Sequence, residues 1–248
     1  MTVGYPVSMP SRKAGKTHEA SRTESRTKLL QAGAELIIEH AQRNPFASMR
    51  VRTICERAGY STGAFYVHWP DTDAFQLELG ERLLSDLPTL EDFQSLFALA
   101  ESVRDRPLLD ALTKLAFADL DELVKNPIWD ANELVNVTWG RSRLREAGIR
   151  GYRQVDELTA DLYGRVLEAH GREPRPPFTM LQIGVLLQGL VEGLGLRQKV
   201  DREALEISPS EQRSLYAIAV VALLSVLTRE RGTRAEVGDV LGKAFEDT

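Results

Sequence analysis

A single cysteine, Cys55, stands in 248 residues, so the chain can form no disulfide within itself. That scarcity fits a reducing compartment, and the cytoplasm is the expected location. Long apolar runs are missing as well. The longest stretch, Ala217–Leu227, falls well short of the roughly 20 residues a membrane span needs. The opening MTVGYPVSMPSRKAGKTHEASR holds no apolar run of the kind a secretory signal uses. A soluble protein with no membrane contact is expected. Strand-like alternation of apolar and polar residues is not found. The four histidines, His18, His40, His68 and His170, lie far apart and share no ligand spacing with Cys55. No metal and no cofactor is expected. Cys55 reads as a small apolar residue packed between helices, with redox sensing as the alternative.

What is present is enough apolar material, 43% of the chain, for a sizeable core. The net charge of −5 argues against a nucleic-acid partner when taken alone. Its distribution argues the other way. Residues 1–70 carry ten basic side chains (Arg12 through Arg57) against five acidic ones, leaving this stretch at +5 and the remainder at −10. A basic module on an acidic body suggests an anionic partner for the N-terminal part. Solvated charge that fell this way by chance is the alternative.

The expected organisation is all-α. Residues 1–20 lack periodicity and read as a flexible basic tail. Ser21-Arg22-Thr23-Glu24 fits a capping box for the first helix, whose apolar face carries Leu29, Leu30, Gly33, Ala34, Leu36 and Ile37. Two short helices follow, at 51–58 and 62–69. Asp71 is expected to cap a fourth. Further helices are expected over 91–103, 107–125, 127–145, 149–170, 179–199, 209–230 and 236–246. Ser208, Pro209 and Glu211 are the start signal of the penultimate one. The domain reading is a tail at 1–20, a three-helix DNA-binding domain at 21–70 and a helical body at 71–248.

The informative run is Val51–Trp69, VRTICERAGYSTGAFYVHW. Gly59 allows the positive φ that ends one helix, and Ser61 can cap the next. Ile54, Ala58 and Phe65 supply an inner face. Ser61, Thr62, Gly63, Ala64, Tyr66 and His68 are left outside. Small residues at a helix start allow close approach to a major groove, where hydroxyls and an imidazole meet phosphates and base edges. Gly59, Ser61 and Gly63 also match the G-x-S-x-G elbow of serine hydrolases. That elbow needs a preceding strand, and ICERAG reads as helix. A helical bundle without a DNA role would leave the local charge reversal unexplained.

This run resembles the TetR (tetracycline repressor) family. The family pattern of isoleucine and a small residue, A-G-V-S, then G-x-x-Y-x-H-F appears as Ile54-Cys55, Ala58-Gly59-Tyr60-Ser61 and Gly63-Ala64-Phe65-Tyr66-Val67-His68-Trp69. The resemblance covers the first helix through the start of the fourth. It implies DNA contacts by Ser61, Thr62, Gly63, Ala64, Tyr66 and His68, with Arg50, Arg52 and Thr72 beside them. The usual capping threonine is replaced by Arg50, leaving Ser48 as a possible cap. The lysine after the motif is Thr72, and Trp69 stands for phenylalanine. The basic tail can supply lost affinity by reaching a neighbouring groove.

The resemblance further implies a homodimer on palindromic operator DNA, repressing until a small apolar or aromatic effector binds the helical body. Helix four is the natural lever. Phe117, Trp129, Trp139, Tyr152, Tyr163 and Met180 are candidates to line the effector pocket, with ordinary core as the alternative. The helices at 179–199 and 209–230 are expected to pair with their twofold mates. Gly184, Leu187, Gly189, Val191, Leu215, Ile218, Ala219, Ala222, Leu223 and Val226 are the expected dimer contacts.

Overall fold

The computed structural model describes residues 13–40, 50–86, 91–138, 144–208, 213–234 and 236–246. The architecture is all-α, as expected, and divides into two compact units, 1–80 and 81–248. The boundary falls ten residues later than the expected 70, because Phe75 and Leu79 belong to the core of the first unit.

The N-terminal unit contains α1 (Lys13–His40), α2 (Val51–Ala58), α3 (Thr62–Tyr66) and most of α4 (Thr72–Asp86). Helix α1 begins at Lys13 rather than at the Ser21 box. Lys13–Ala20 is rich in good helix formers, so the helix runs through the expected tail and Ser21 lies inside it. On α1, Leu29, Leu36 and Ile37 are buried, as periodicity predicts. The aromatics Phe65, Trp69 and Phe75 fill the centre, with ring centroids 4.9–5.1 Å apart. Such pairs each add about 0.5–1.5 kcal/mol beyond their burial. Asp71 caps α4 as predicted, its Oδ1 accepting from Ala74 N at 2.8 Å.

The C-terminal unit holds α5 (Gln94–Ser102), α6 (Leu108–Lys125), α7 (Pro127–Thr138), α8 (Arg145–Ala169), β1 (Arg172–Pro174), α9 (Met180–Val200) and a short 3-10 turn (Glu203–Leu205). It continues through β2 (Glu206–Ser208), β3 (Arg213–Ser214), α10 (Leu215–Leu227), β4 (Thr228–Glu230) and α11 (Val237–Glu246). Leu115, Leu162, Tyr163, Ile183, Leu187, Val191, Tyr216 and Val220 make its core. Gly184 lets α9 approach α8. A Cβ there would lie 2.6 Å from the Asp156 carbonyl oxygen. Helix α10 is capped by Ser214, whose hydroxyl accepts from Ala217 N at 3.1 Å. The expected cap Ser208 lies in β2 instead, and Pro209 and Glu211 fall outside the described residues.

The proline-rich break at 172–177 does more than interrupt helices. Strand β1 pairs antiparallel with β4. The buried Arg175 guanidinium donates to the Val226 and Thr228 carbonyls, each at 2.8 Å. A cation thereby satisfies carbonyls at the end of α10, where the helix dipole favours positive charge. Neither short strand pair alternates over enough residues to show as a period-2 pattern.

Candidate nucleic-acid interface

Helices α2 and α3 are set into a helix-turn-helix by local turn chemistry. Gly59 closes α2 at φ 77° and ψ 28°, a left-handed conformation that glycine adopts without strain. The Tyr60 amide then donates to Cys55 O at 2.9 Å. Ser61 starts α3, its hydroxyl accepting from Ala64 N at 3.3 Å. Phe65 points inward and is fully buried, which fixes the rotation of α3. Ser61, Thr62 and Gly63 are therefore turned outward and exposed, with Ala64 half-buried behind them. Tyr66 is 55% exposed, a large amphipathic ring left in water at the end of the same helix.

Helix α1 braces this arrangement from behind. Arg22 donates to the Val67 carbonyl at 3.1 Å, and Ser25 Oγ lies 2.8 Å from His68 Nε2. Arg26 makes a bidentate pair with Glu78 and sits over the Trp69 ring. The Trp69 indole donates to the same carboxylate at 2.7 Å. Arg57 ties α2 to Glu39 at 2.7 Å. Sequence reasoning missed this brace. Its ties from α1 to the segment after α3 and to α4 span 43 to 52 residues, and Arg22, Arg26 and Arg57 showed only as members of the basic stretch.

Burial, assisted by the nearby Arg22 and Arg26, holds His68 below the usual imidazole range. The ring is neutral near pH 7, so it can meet a phosphate through a hydrogen bond rather than as a cation. Its Nε2 is already engaged by Ser25. Thr72 is half-buried at the start of α4. Arg52 is exposed but paired with Glu56 at 2.8 Å, so reaching a phosphate means exchanging one anion for another. Arg50 flanks α2 without capping it through its side chain, and its exposed guanidinium has no ion-pair partner among the described residues. Ser48 lies outside the described residues. Cys55 is buried, and burial pushes its thiol up, away from the reactive thiolate.

The hydrolase alternative does not survive this geometry. The segment before Ser61 is the helix α2, and the serine hydroxyl is a helix cap rather than an exposed nucleophile at a strand end.

Of the expected pocket residues, Trp129 borders a narrow cleft in the C-terminal unit. Tyr163 is fully buried in the core, and Phe117 and Met180 are partly buried. Tyr152 is 48% exposed on α8, because its turn of the helix faces solvent. Trp139 lies outside the described residues. The cleft is lined instead by Asp119, Glu122, Phe93 and Gln188, among others. Asp119 was the residue missed, although an acid in the apolar stripe of 107–125 was a visible signal.

The expected dimer contacts divide in two. Gly184, Leu187 and Val191 are turned into the chain's own core, so they are not available to a partner. Their spacing gave an apolar face, but not which of two faces it was. Leu215, Ile218, Ala222 and Gly189 are exposed, and Ala219, Leu223 and Val226 are partly buried. Helix α9 also exposes Leu181, Val185 and Leu196, each by more than 40%, on the side opposite its core residues.

The model of the TetR family of bacterial regulatory proteins matches residues 29–79. No curated protein matches the chain. Among solved structures, one from Mesorhizobium loti, assigned to the TetR family of transcriptional regulators, superposes with a TM-score of 0.56 at 14% identity. The match covers 83% of this chain and 97% of that one. A candidate transcriptional regulator from a Rhodococcus species superposes with a TM-score of 0.54 at 17% identity, over 81% of this chain and 95% of that one. At these identities the superpositions speak to fold.

Proposed function

We propose that the chain, whose residues 29–79 match the TetR family of bacterial regulatory proteins, is a DNA-binding transcriptional regulator of that family rather than an enzyme, and that it acts as a cytoplasmic homodimeric repressor of a palindromic operator, released by a small-molecule effector. The observation that carries the reading is the braced α2–α3 pair. Its buried Phe65 turns Ser61, Thr62, Gly63 and Tyr66 outward together. In this reading the front of α3 enters the major groove. Tyr66, Arg50 and Ser61 meet phosphates, and His68 holds the recognition segment against α1 as well as touching DNA.

The apolar residues exposed on α9 and α10 support the homodimer. Leu181, Val185 and Leu196 on one helix and Leu215 and Ile218 on the other repeat at helical spacing, without a partner in the monomer. Two chains meeting there would present two α3 helices to successive grooves and so read a palindrome. Release by an effector requires that the ligand bind one arrangement of the dimer better than the other.

The test is fluorescence anisotropy of labelled duplex DNA with the full chain. Affinity is expected to fall by orders of magnitude between about 50 and 200 mM salt, as phosphate contacts dictate. Binding that is absent, or indifferent to salt, contradicts the reading.

A further inference from the structure

The cleft in the C-terminal unit is walled by Phe93 and Leu96 at the start of α5, by Asp119, Glu122 and Leu123 on α6, by Asn126 and Trp129 at the start of α7, and by Gln188 on α9. Its interior admits a group about the size of one water. It therefore suits the head of a ligand rather than a whole one. No lysine or arginine lines it.

Asp119 is more than nine-tenths buried there. Its Oδ2 accepts from both the Tyr163 and Tyr216 hydroxyls, at 2.9 and 2.7 Å. Its Oδ1 takes no hydrogen bond among the described residues. A buried carboxylate costs free energy unless a partner offsets its lost hydration, and with two phenols on Oδ2 it is Oδ1 that is left open to the cleft as an acceptor. The Glu122 side chain, at the same cleft, has no hydrogen-bond or ion-pair partner among the described residues. Gln188 is held in place by Thr159 and Glu192, at 3.2 and 2.9 Å. Phe93 and Trp129 supply aromatic wall, and aromatic faces attract organic cations.

We infer that this cleft takes the cationic head of a small organic amine, with Asp119 Oδ1 and Glu122 as acceptors and Phe93 and Trp129 as walls. The inference rests on the reading of the chain as an effector-released regulator and changes the expected effector from apolar to cationic. An apolar body can still lie against the aromatic side of the cleft. The aromatic walls distinguish this site from one for a metal ion. Among the described residues no three acidic, histidine or cysteine side chains are arranged to hold a metal.

The test is calorimetric titration of the full chain, without DNA, at neutral pH. The probes are the primary amines benzylamine and phenethylamine, whose ammonium heads are close to water in size, and the uncharged benzyl alcohol. At least one of the two cations is expected to bind about tenfold or more tightly than the alcohol. Asp119→Asn and Glu122→Gln are each expected to weaken that cation several-fold while leaving the alcohol unchanged. Glu122→Gln, at a half-buried position, keeps the test usable if the Asp119 variant fails to fold. Failure of both cations to bind, equal affinity for alcohol and cation, or indifference of the cation to both substitutions overturns the inference. The same preparation is titrated with duplex DNA alone. Cation binding by a chain that binds no DNA supports this site and contradicts only the regulator reading.

Discussion

The two units are held together by different means. The N-terminal unit is built on a small aromatic centre, Phe65 against Trp69 and Phe75, with charged side chains locking its outside through the Arg26–Glu78 pair. The C-terminal unit is a larger, mostly aliphatic core with a charge inside it, Asp119 under two tyrosines. The first arrangement holds one short helix in one orientation, which reading DNA requires. The second keeps a polar group buried beside a cleft, a costly choice for stability alone. Rigid packing fixes the reading unit, whereas the body keeps a carboxylate beside a cleft.

The largest expected effect comes from removing the aromatic centre. Phe65→Ala should destabilise the N-terminal unit by about 3–5 kcal/mol. In urea melts followed by tryptophan fluorescence, to which Trp69 contributes from the N-terminal unit and Trp129 from the other, the N-terminal transition should move to lower denaturant or vanish, with the other unit's transition unmoved. A single shared shift would break the comparison by making the two units one cooperative body.

The buried charge of the other unit is tested by pH. Burial pushes Asp119 up to about 6 from an ordinary 3.8, against the pull of the two tyrosine hydroxyls. The native state therefore holds this proton more tightly than the unfolded chain does. Stability should fall as pH rises from about 4 to about 6, and that loss should be complete above 6. Asp119→Asn should remove this slope, a difference of up to about 3 kcal/mol across the window. Parallel profiles for the two proteins would mean that the carboxyl is not buried as described.

Gly184→Ala should cost about 1–3 kcal/mol, because its Cβ would press on the Asp156 carbonyl and push α9 from α8. A neutral result in thermal melts would contradict that packing. Smaller still in stability, but not in function, is Tyr66→Phe. It should leave melting unchanged and weaken DNA binding by about tenfold, the scale of one hydrogen bond to a charged phosphate. Ser61→Ala removes a helix cap and should cost about 1 kcal/mol.

The same contrast explains what could be read in advance. The reading unit was legible because its decisive features are local. Gly59, Ser61 and Asp71 act on amides one to three residues away, and the α2 boundaries were found to the residue. Domain-level features of the body depend on contacts between distant segments. Periodicity found α9 and α10, but it placed Leu187 and Val191 on the wrong face, since both faces of α9 are apolar. The cap of α10 was misplaced because Ser208-Pro209 and Ser214 are both plausible starts, and strand pairing decided between them. Of the expected pocket residues that are described, Trp129 alone borders the cleft. Asp119 meets Tyr216 across 97 residues, a distance at which no spacing rule operates.

The most direct measurement is selection of bound duplexes from random DNA by the full chain. Enrichment of a twofold-symmetric site with two half-sites about one helical turn apart is expected, with the same site bound more weakly by Tyr66→Phe and a changed base preference in Thr62→Val at matched stability. Enrichment of an asymmetric single site, or no enrichment at all, would contradict it.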